Sequence, residues 1–163
     1  MQSNLPQPVS VLWWTLTLAW VALIFYLSTQ TFAPDFSQGL LAGILHFLHL
    51  RVSPSAFDSI HALTRKLAHL TEYAIFALLL YGLPGGKSQM LWRPRRALTC
   101  ILVTAVYSLT DEFHQLYVPG RHASLLDCGL DTMGASLAMV VPYTLKLISP
   151  LRSTASSPPV QTL

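Results

Sequence analysis

Residues Val11 to Leu27 read VLWWTLTLAWVALIFYL, a continuous apolar run interrupted only by Thr15 and Thr17. That is just long enough for a helix to span a bilayer core of ~30 Å. No charged side chain precedes Asp35, so the stretch reads as a first transmembrane helix over about residues 11–28. A cleaved signal peptide fits less well. The amino end carries no Lys or Arg, the apolar run is long, and Pro34 follows the only small-residue site, near Ala33.

The rest of the composition agrees. Of 163 residues, 52% are hydrophobic and 10% are charged, against roughly 25% charged in an ordinary soluble domain. The mean hydropathy is +0.48. These values exclude a soluble globular protein and a disordered segment. Two cysteines are too few for a disulfide scaffold. No dense basic face offers itself to nucleic acid. The expectation is one small all-α integral membrane domain over residues 1–150, with a flexible C-terminal tail over 151–163.

Three further uncharged windows, Tyr73 to Gly86, Ala97 to Thr110 and Thr132 to Leu145, are 14 residues each. At 1.5 Å per residue each covers only ~21 Å, so to span they must draw in polar flanks. The expected helices are 67–84, 97–115 and 125–147. Lys87, Arg93, Arg95 and Arg96 lie between the second and third, and Lys146 and Arg152 lie at the end of the fourth. Arg51, Arg65, Lys66 and Arg121 fall on the other side, a bias of six to four. Both termini are therefore expected in the cytoplasm of a cytoplasmic-membrane protein. The acids and histidines gather at the opposite, outer ends of the helices.

Asp58, His61, Arg65, His69 and Glu72 recur at spacings of three and four, one face of a helix that Ser53 and Pro54 can begin well outside the bilayer. Asp58 and His61 read as a solvated end of that stripe. Glu72 abuts the apolar window and needs a partner, with Arg65 or His69 nearest. In the third helix Tyr107, Asp111 and His114 share a face. Asp111 and Glu112 stand at its C-terminus, where the dipole disfavours negative charge, so a cation or another helix must compensate. Pro119 and Gly120 suit the centre of a type II turn, making the fourth helix an antiparallel neighbour. That helix opens with Ser124-Leu125-Leu126-Asp127, similar to a capping box. A carboxylate in the first helical turn, as at Asp127, is favourable without any function. Asp131, a turn deeper, ranks above it. Gly134, Ala135, Ser136 and Ala138 form a small-residue surface for close packing.

The strings Arg65-Lys66-x-x-His69-x-x-Glu72-Tyr73, Asp111-Glu112-x-His114-Gln115 and Val118-Pro119-Gly120-Arg121, then Asp127-x-x-x-Asp131-x-x-Gly134-Ala135, resemble the VanZ-like membrane-protein family. The likeness runs from about Arg65 to Ala138, with the Ser28-containing end of the first helix also similar. It implies a small helical protein of the bacterial cell envelope, in a family whose founding member accompanies resistance to teicoplanin. It supplies no settled reaction, and the cysteines and the proline-rich tail lie outside the motifs.

Two readings explain the outer layer of Arg65, Lys66, His69, Glu72, Tyr73, Asp111, Glu112, His114, Gln115, Arg121, Asp127 and Asp131. In one, Arg65, Lys66 and Arg121 neutralise the acids and leave a pocket for an anionic lipid headgroup or envelope glycan-phosphate. In the other, a divalent metal held by His69, Glu72, Asp111, His114 and Asp131 activates water against a phosphate or acyl bond. The compact His-Glu-x-x-His motif is absent from the sequence. Transport is a third use of such residues, and four helices would need a homo-oligomer to enclose a path.

Phe36, Leu40, Leu41, Ile44, Phe47 and Leu48 recur at helical spacing and predict an amphipathic segment on the outer surface, with His46 and His49 as interfacial residues. Trp13 and Trp14 read as an interface anchor. Cys100 and Cys128 fall at opposite ends of their helices, too far apart to pair.

Overall fold

Pro8, Pro34, Pro54 and Pro94 each stand at the first residue of a helix, where a missing N–H costs nothing and a fixed φ suits the first turn. The computed structural model describes residues 8–29, 34–82, 92–119 and 123–155. Among them the chain is all-α: α1 Pro8–Leu27, α2 Pro34–Phe47, α3 Pro54–Gly82, α4 Pro94–Gln115, α5 Leu125–Ala138 and α6 Val140–Ala155. Gly120, Arg121 and residues 156–163 lie outside the described residues, so the expected turn is covered only up to Pro119.

The expected span 67–84 belongs to a longer helix that begins at Pro54, as Ser53 and Pro54 suggested, and its 29 residues make a rod of about 43 Å. The expected 125–147 helix breaks at Met139, whose N–H bonds to Ser136 in a tightened turn. Pro142 is the cause, because its ring clashes with the carbonyl four residues back, at Ala138. Helix α6 then runs on to Ala155, so residues 151–155 of the expected flexible tail are helical. Across this turn, Leu125–Ile148 is the one described run long and apolar enough to cross a membrane by length and composition. The apolar run of α1, Val11–Leu27, is shorter.

Helices α3, α4 and α5 pack together, and α1 lies against α3. Small residues allow the closest approach. A Cβ at position 134 would collide with the backbone carbonyl of Leu70, so only glycine lets α5 cross α3 there. Gly82 likewise receives the ring of Trp13. The core at this end is Ala77, Tyr81, Ala97, Cys100, Ala135, Ala138 and Met139. The Tyr81 hydroxyl accepts the Arg93 N–H at 2.8 Å, and Trp92 meets Tyr143 edge-on at 5.5 Å. A second cluster, Ile24, Tyr73 and Phe76, fixes α1. There the Trp20 Nε1–H donates to the Glu72 carbonyl at 2.9 Å, and the Tyr107 hydroxyl donates to the Val21 carbonyl at 3.0 Å. Both cysteines are buried and free.

Polarity is distributed inside out. Along α4, Thr104, Ser108, Asp111 and Gln115 are buried, whereas Leu98, Leu102, Val106, Leu109 and Phe113 are exposed. An apolar exterior of this extent marks a surface that does not face water. Helix α2 also fits its expected amphipathic character: Ser37, Leu41 and Leu45 are half-buried, while Phe36, Leu40, Ile44 and Phe47 are exposed. Its end is capped by His49 at φ 54°. Leu50 N–H bonds to Leu45 O and His49 N–H to His46 O, the paired bonds of a Schellman motif.

Substitutions by alanine at three glycines separate these effects. Gly134→Ala is expected to cost about 1–3 kcal/mol by forcing α3 and α5 apart. Gly82→Ala should cost less, because the Trp13 ring can shift. Gly129 has open space around it, so Gly129→Ala should be neutral or stabilise by up to ~1 kcal/mol through helix propensity. Thermal unfolding in a mild detergent measures the order. Equal losses at 134 and 129 would refute the close-approach argument.

Candidate functional site

The crossing at Gly134 brings α3 and α5 together one turn from Asp131. Asp131 is completely buried. Its Oδ2 accepts a hydrogen bond from the Ser108 hydroxyl at 2.5 Å, and its Oδ1 lies 3.4 Å from His69 Nδ1. The second contact is an ion-pair distance without hydrogen-bond alignment, since neither atom has a hydrogen-bonding partner. The Tyr73 ring lies nearly parallel to His69, 6.4 Å between centroids, and is itself fully buried. Three helices thus contribute one chain of contacts, Ser108 to Asp131 to His69.

Asp111 and Glu112 diverge from that point. Asp111 Oδ2 accepts the Gln115 amide at 3.1 Å, and Oδ1 has no partner. Glu112 Oε2 accepts the backbone N–H of Ser124 at 2.6 Å. Ser124 is the N-cap of α5, and its own side chain makes no cap bond. In a capping box the residue three positions on would take that N–H. Here Glu112 takes it from the end of α4, which corrects the expectation for Asp127. It also supplies the compensation that a carboxylate at a helix C-terminus requires, by facing the positive end of the next helix.

Two cavities flank His69. The first, about 190 Å³, lies between α1, α2, α3 and α4, with Ser28, Ser37, Arg65, His69, Glu72, Asp111 and Gln115 in its wall. The second, about 280 Å³, lies between α3 and the start of α5, lined by Ala62, Arg65, Lys66, His69, Ser124, Leu126 and Asp127. Arg65 and His69 are common to both.

The structure therefore sorts the sequence candidates into groups. Arg65, His69, Glu72, Asp111 and Gln115 share the first cavity, and Lys66 and Asp127 join Arg65 and His69 in the second. Tyr73 and Asp131 form the buried backing of His69. His114 turns away and packs on Phe25, 4.7 Å between ring centroids. Arg121 lies outside the described residues. His61 departs from its expected solvated position. It is buried, with Nε2 2.7 Å from the Ser37 hydroxyl of α2. The five metal candidates are not gathered, and among the described residues no three His, Cys, Asp or Glu side chains converge as a metal-binding group. The tertiary reason is the split of α4: Asp111 faces α3, while His114 faces α1.

Ser108 and Ser28 are the residues that spacing alone passed over. The available signal was the stripe Thr104, Ser108, Asp111, Gln115, which repeats at four, three and four beside the stripe of Tyr107 and His114.

An apolar exterior around buried carboxylates, with one helical run of membrane-crossing length, points to a helical membrane protein. The family model for VanZ/LLP1 matches residues 13–146, so the chain belongs to the VanZ/LLP1 family. Comparisons with curated proteins and with solved structures give no match.

Ser108→Ala is expected to cost about 1 kcal/mol, the worth of an ordinary hydrogen bond. Asp131→Ala should cost more, about 1–3 kcal/mol, because the contacts of the buried carboxylate with both Ser108 and His69 are lost. Unfolding of both single variants and the double variant should give a coupling energy of at least ~0.5 kcal/mol. Strict additivity would show that the 2.5 Å contact is not formed.

Proposed function

We propose that the protein is a four-span protein of the bacterial cytoplasmic membrane that binds the phosphate of an anionic lipid headgroup or envelope glycan-phosphate. The spans are α1, α3, α4 and the α5–α6 run. One observation carries the binding reading. The cavity between α3 and α5 presents Arg65, Lys66 and His69 against one carboxylate, Asp127. Two permanent cations and an imidazole give a phosphate charge-assisted hydrogen bonds, with Arg65 capable of a bidentate grip. Leu126, in the wall of that cavity, is exposed and offers apolar surface to an acyl chain. The cavity also sits beside the N-terminus of α5, where an anion is favoured.

The orientation follows from charge. Arg93, Arg95 and Arg96 stand at the start of α4, at the opposite end of the helices from His69 and Asp111, and such clusters are retained on the cytoplasmic side. Both termini are then cytoplasmic and the polar cluster faces outward. The family tie makes teicoplanin susceptibility the phenotype to read in cells.

Native mass spectrometry of the protein in a mild detergent tests the binding. Phosphatidylglycerol should outcompete phosphatidylcholine on the unmodified protein. Arg65→Gln with Lys66→Gln should reduce phosphatidylglycerol retention roughly tenfold or more, the equivalent of one charge-assisted hydrogen bond. Retention unchanged in that double variant would refute the reading. For topology, a Gly120→Cys variant should react with a membrane-impermeant thiol reagent applied to intact cells stripped of any outer barrier. Reaction only after lysis would reverse the orientation.

A further inference from the structure

His69 stands between two environments. Its Nδ1 is buried 3.4 Å from Asp131 Oδ1, while 14% of the side chain stays exposed and the ring lines both cavities. With Nδ1 turned to the carboxylate, Nε2 is the ring nitrogen left for a ligand. Asp131 is completely buried, its Oδ2 is taken by the Ser108 hydroxyl at 2.5 Å, and its Oδ1 makes no hydrogen bond. A buried carboxylate with one open oxygen is costly unless a positive charge stands against it. Among the described residues, His69 is the group that reaches it at ion-pair distance.

The charges around the imidazole point the same way. Its own helix brings Arg65, Lys66, Glu72 and the Tyr73 phenol, α4 brings Asp111 and Glu112, and α5 brings Asp127 and Asp131. From α1 and α2 the cavity wall receives Ile24, Leu27, Ser28 and Ser37, which carry no charge. Five carboxyl groups thus face two permanent cations, a balance that a second ring proton improves.

We propose that Asp131 is a positioning residue that holds His69 as the imidazolium, and that the proton on Nε2 is the third charge of the phosphate grip. This rests on the phosphate reading above and adds what governs it. A phosphodiester has no proton of its own. Neutral His69, with its N–H turned to Asp131, offers such a ligand a lone pair instead of a donor. The imidazolium offers a charge-assisted N–H···O bond. Histidine changes charge in the physiological range, whereas Arg65 and Lys66 stay charged through it. The headgroup is therefore held on the acid side of one titration and released on the alkaline side.

The test is retention of short-chain phosphatidylglycerol by the full chain in detergent, from about pH 5.5 to about pH 8.5, where histidine titrates and the lipid phosphate keeps its single charge. Retention by the unmodified protein should fall roughly tenfold across the range, the worth of one charge-assisted hydrogen bond. His69→Gln should bind at every pH as weakly as the unmodified protein does at the alkaline end. Asp131→Asn keeps the shape and a partner for the Ser108 hydroxyl but supplies no charge to hold the second ring proton, so its profile should flatten too. A side chain that served packing alone would change the level of binding and leave the slope. A second measurement needs no variant at Asp131. Nitrogen NMR of ring-labelled histidine, with the His69 signals assigned by their absence in His69→Gln, should show both ring nitrogens protonated in the lipid complex. A flat profile in the unmodified protein, or a neutral His69 ring in the complex, overturns the inference and leaves the phosphate reading standing. A slope that survives in His69→Gln moves the titration to another group, and one that survives in Asp131→Asn removes Asp131 from the role; either overturns it. Retention of phosphatidylglycerol at no pH refutes the phosphate reading itself.

Discussion

The contact between Gly134 and the Leu70 carbonyl sets the rest of the arrangement. Between apolar helices in a lipid-like setting, association depends on close packing rather than on exclusion of water. A glycine that admits a facing backbone is then the strongest positional constraint the sequence can impose. Asp131 is one turn from it on α5, and His69 and Tyr73 flank Leu70 on α3. The nearness of the imidazole to the carboxylate is therefore a by-product of a steric fit. Ser108 adds direction by holding the other carboxylate oxygen from α4.

Burial of these polar groups has a cost that the architecture meets unevenly. Glu112 has one oxygen satisfied through the start of α5 and Asp131 has one satisfied through Ser108, while Glu112 Oε1 and Asp131 Oδ1 have no hydrogen-bond partner. Asp111 and Ser28 each keep an unsatisfied oxygen in a cavity wall. A network built purely to fix helix register would close all its bonds, because partly satisfied polar groups are worse than an apolar core. The cavities, rather than the bonds, mark the candidate site: Arg65 and His69 line both, and Asp111 lines the first.

Sequence reasoning recovered the parts governed by local chemistry. The all-α class, the end of α4 at Gln115, the opening of α5 after Ser124 and the small surface at Gly134 all follow from patterns within a turn or two, and the family resemblance is supported across residues 13–146. Features that depend on a second element were not readable in the same way. His61 looked solvated because nothing in its own helix covers it, and its partner Ser37 comes from α2. Ser108 was passed over because a serine in a helix usually bonds to its own backbone. The five metal candidates were individually suitable, but spacing does not reveal that α4 divides them between two neighbours. Pro142 was visible, yet its effect at Met139 could not be separated from a proline absorbed within a straight helix.

The bond from Glu112 to Ser124 has a consequence for how the chain is assembled. Helix α5 has no side-chain cap of its own, so its first turn, which carries Asp127, is completed only by a residue contributed from the preceding helix. During synthesis α4 emerges first and waits with an acidic end that its own dipole disfavours. The arrival of Ser124 relieves both ends at once. The α4–α5 hairpin is in this sense the smallest piece of the chain that is electrostatically complete, and any cut or insertion between residues 115 and 124 would leave two half-finished helices rather than one severed loop.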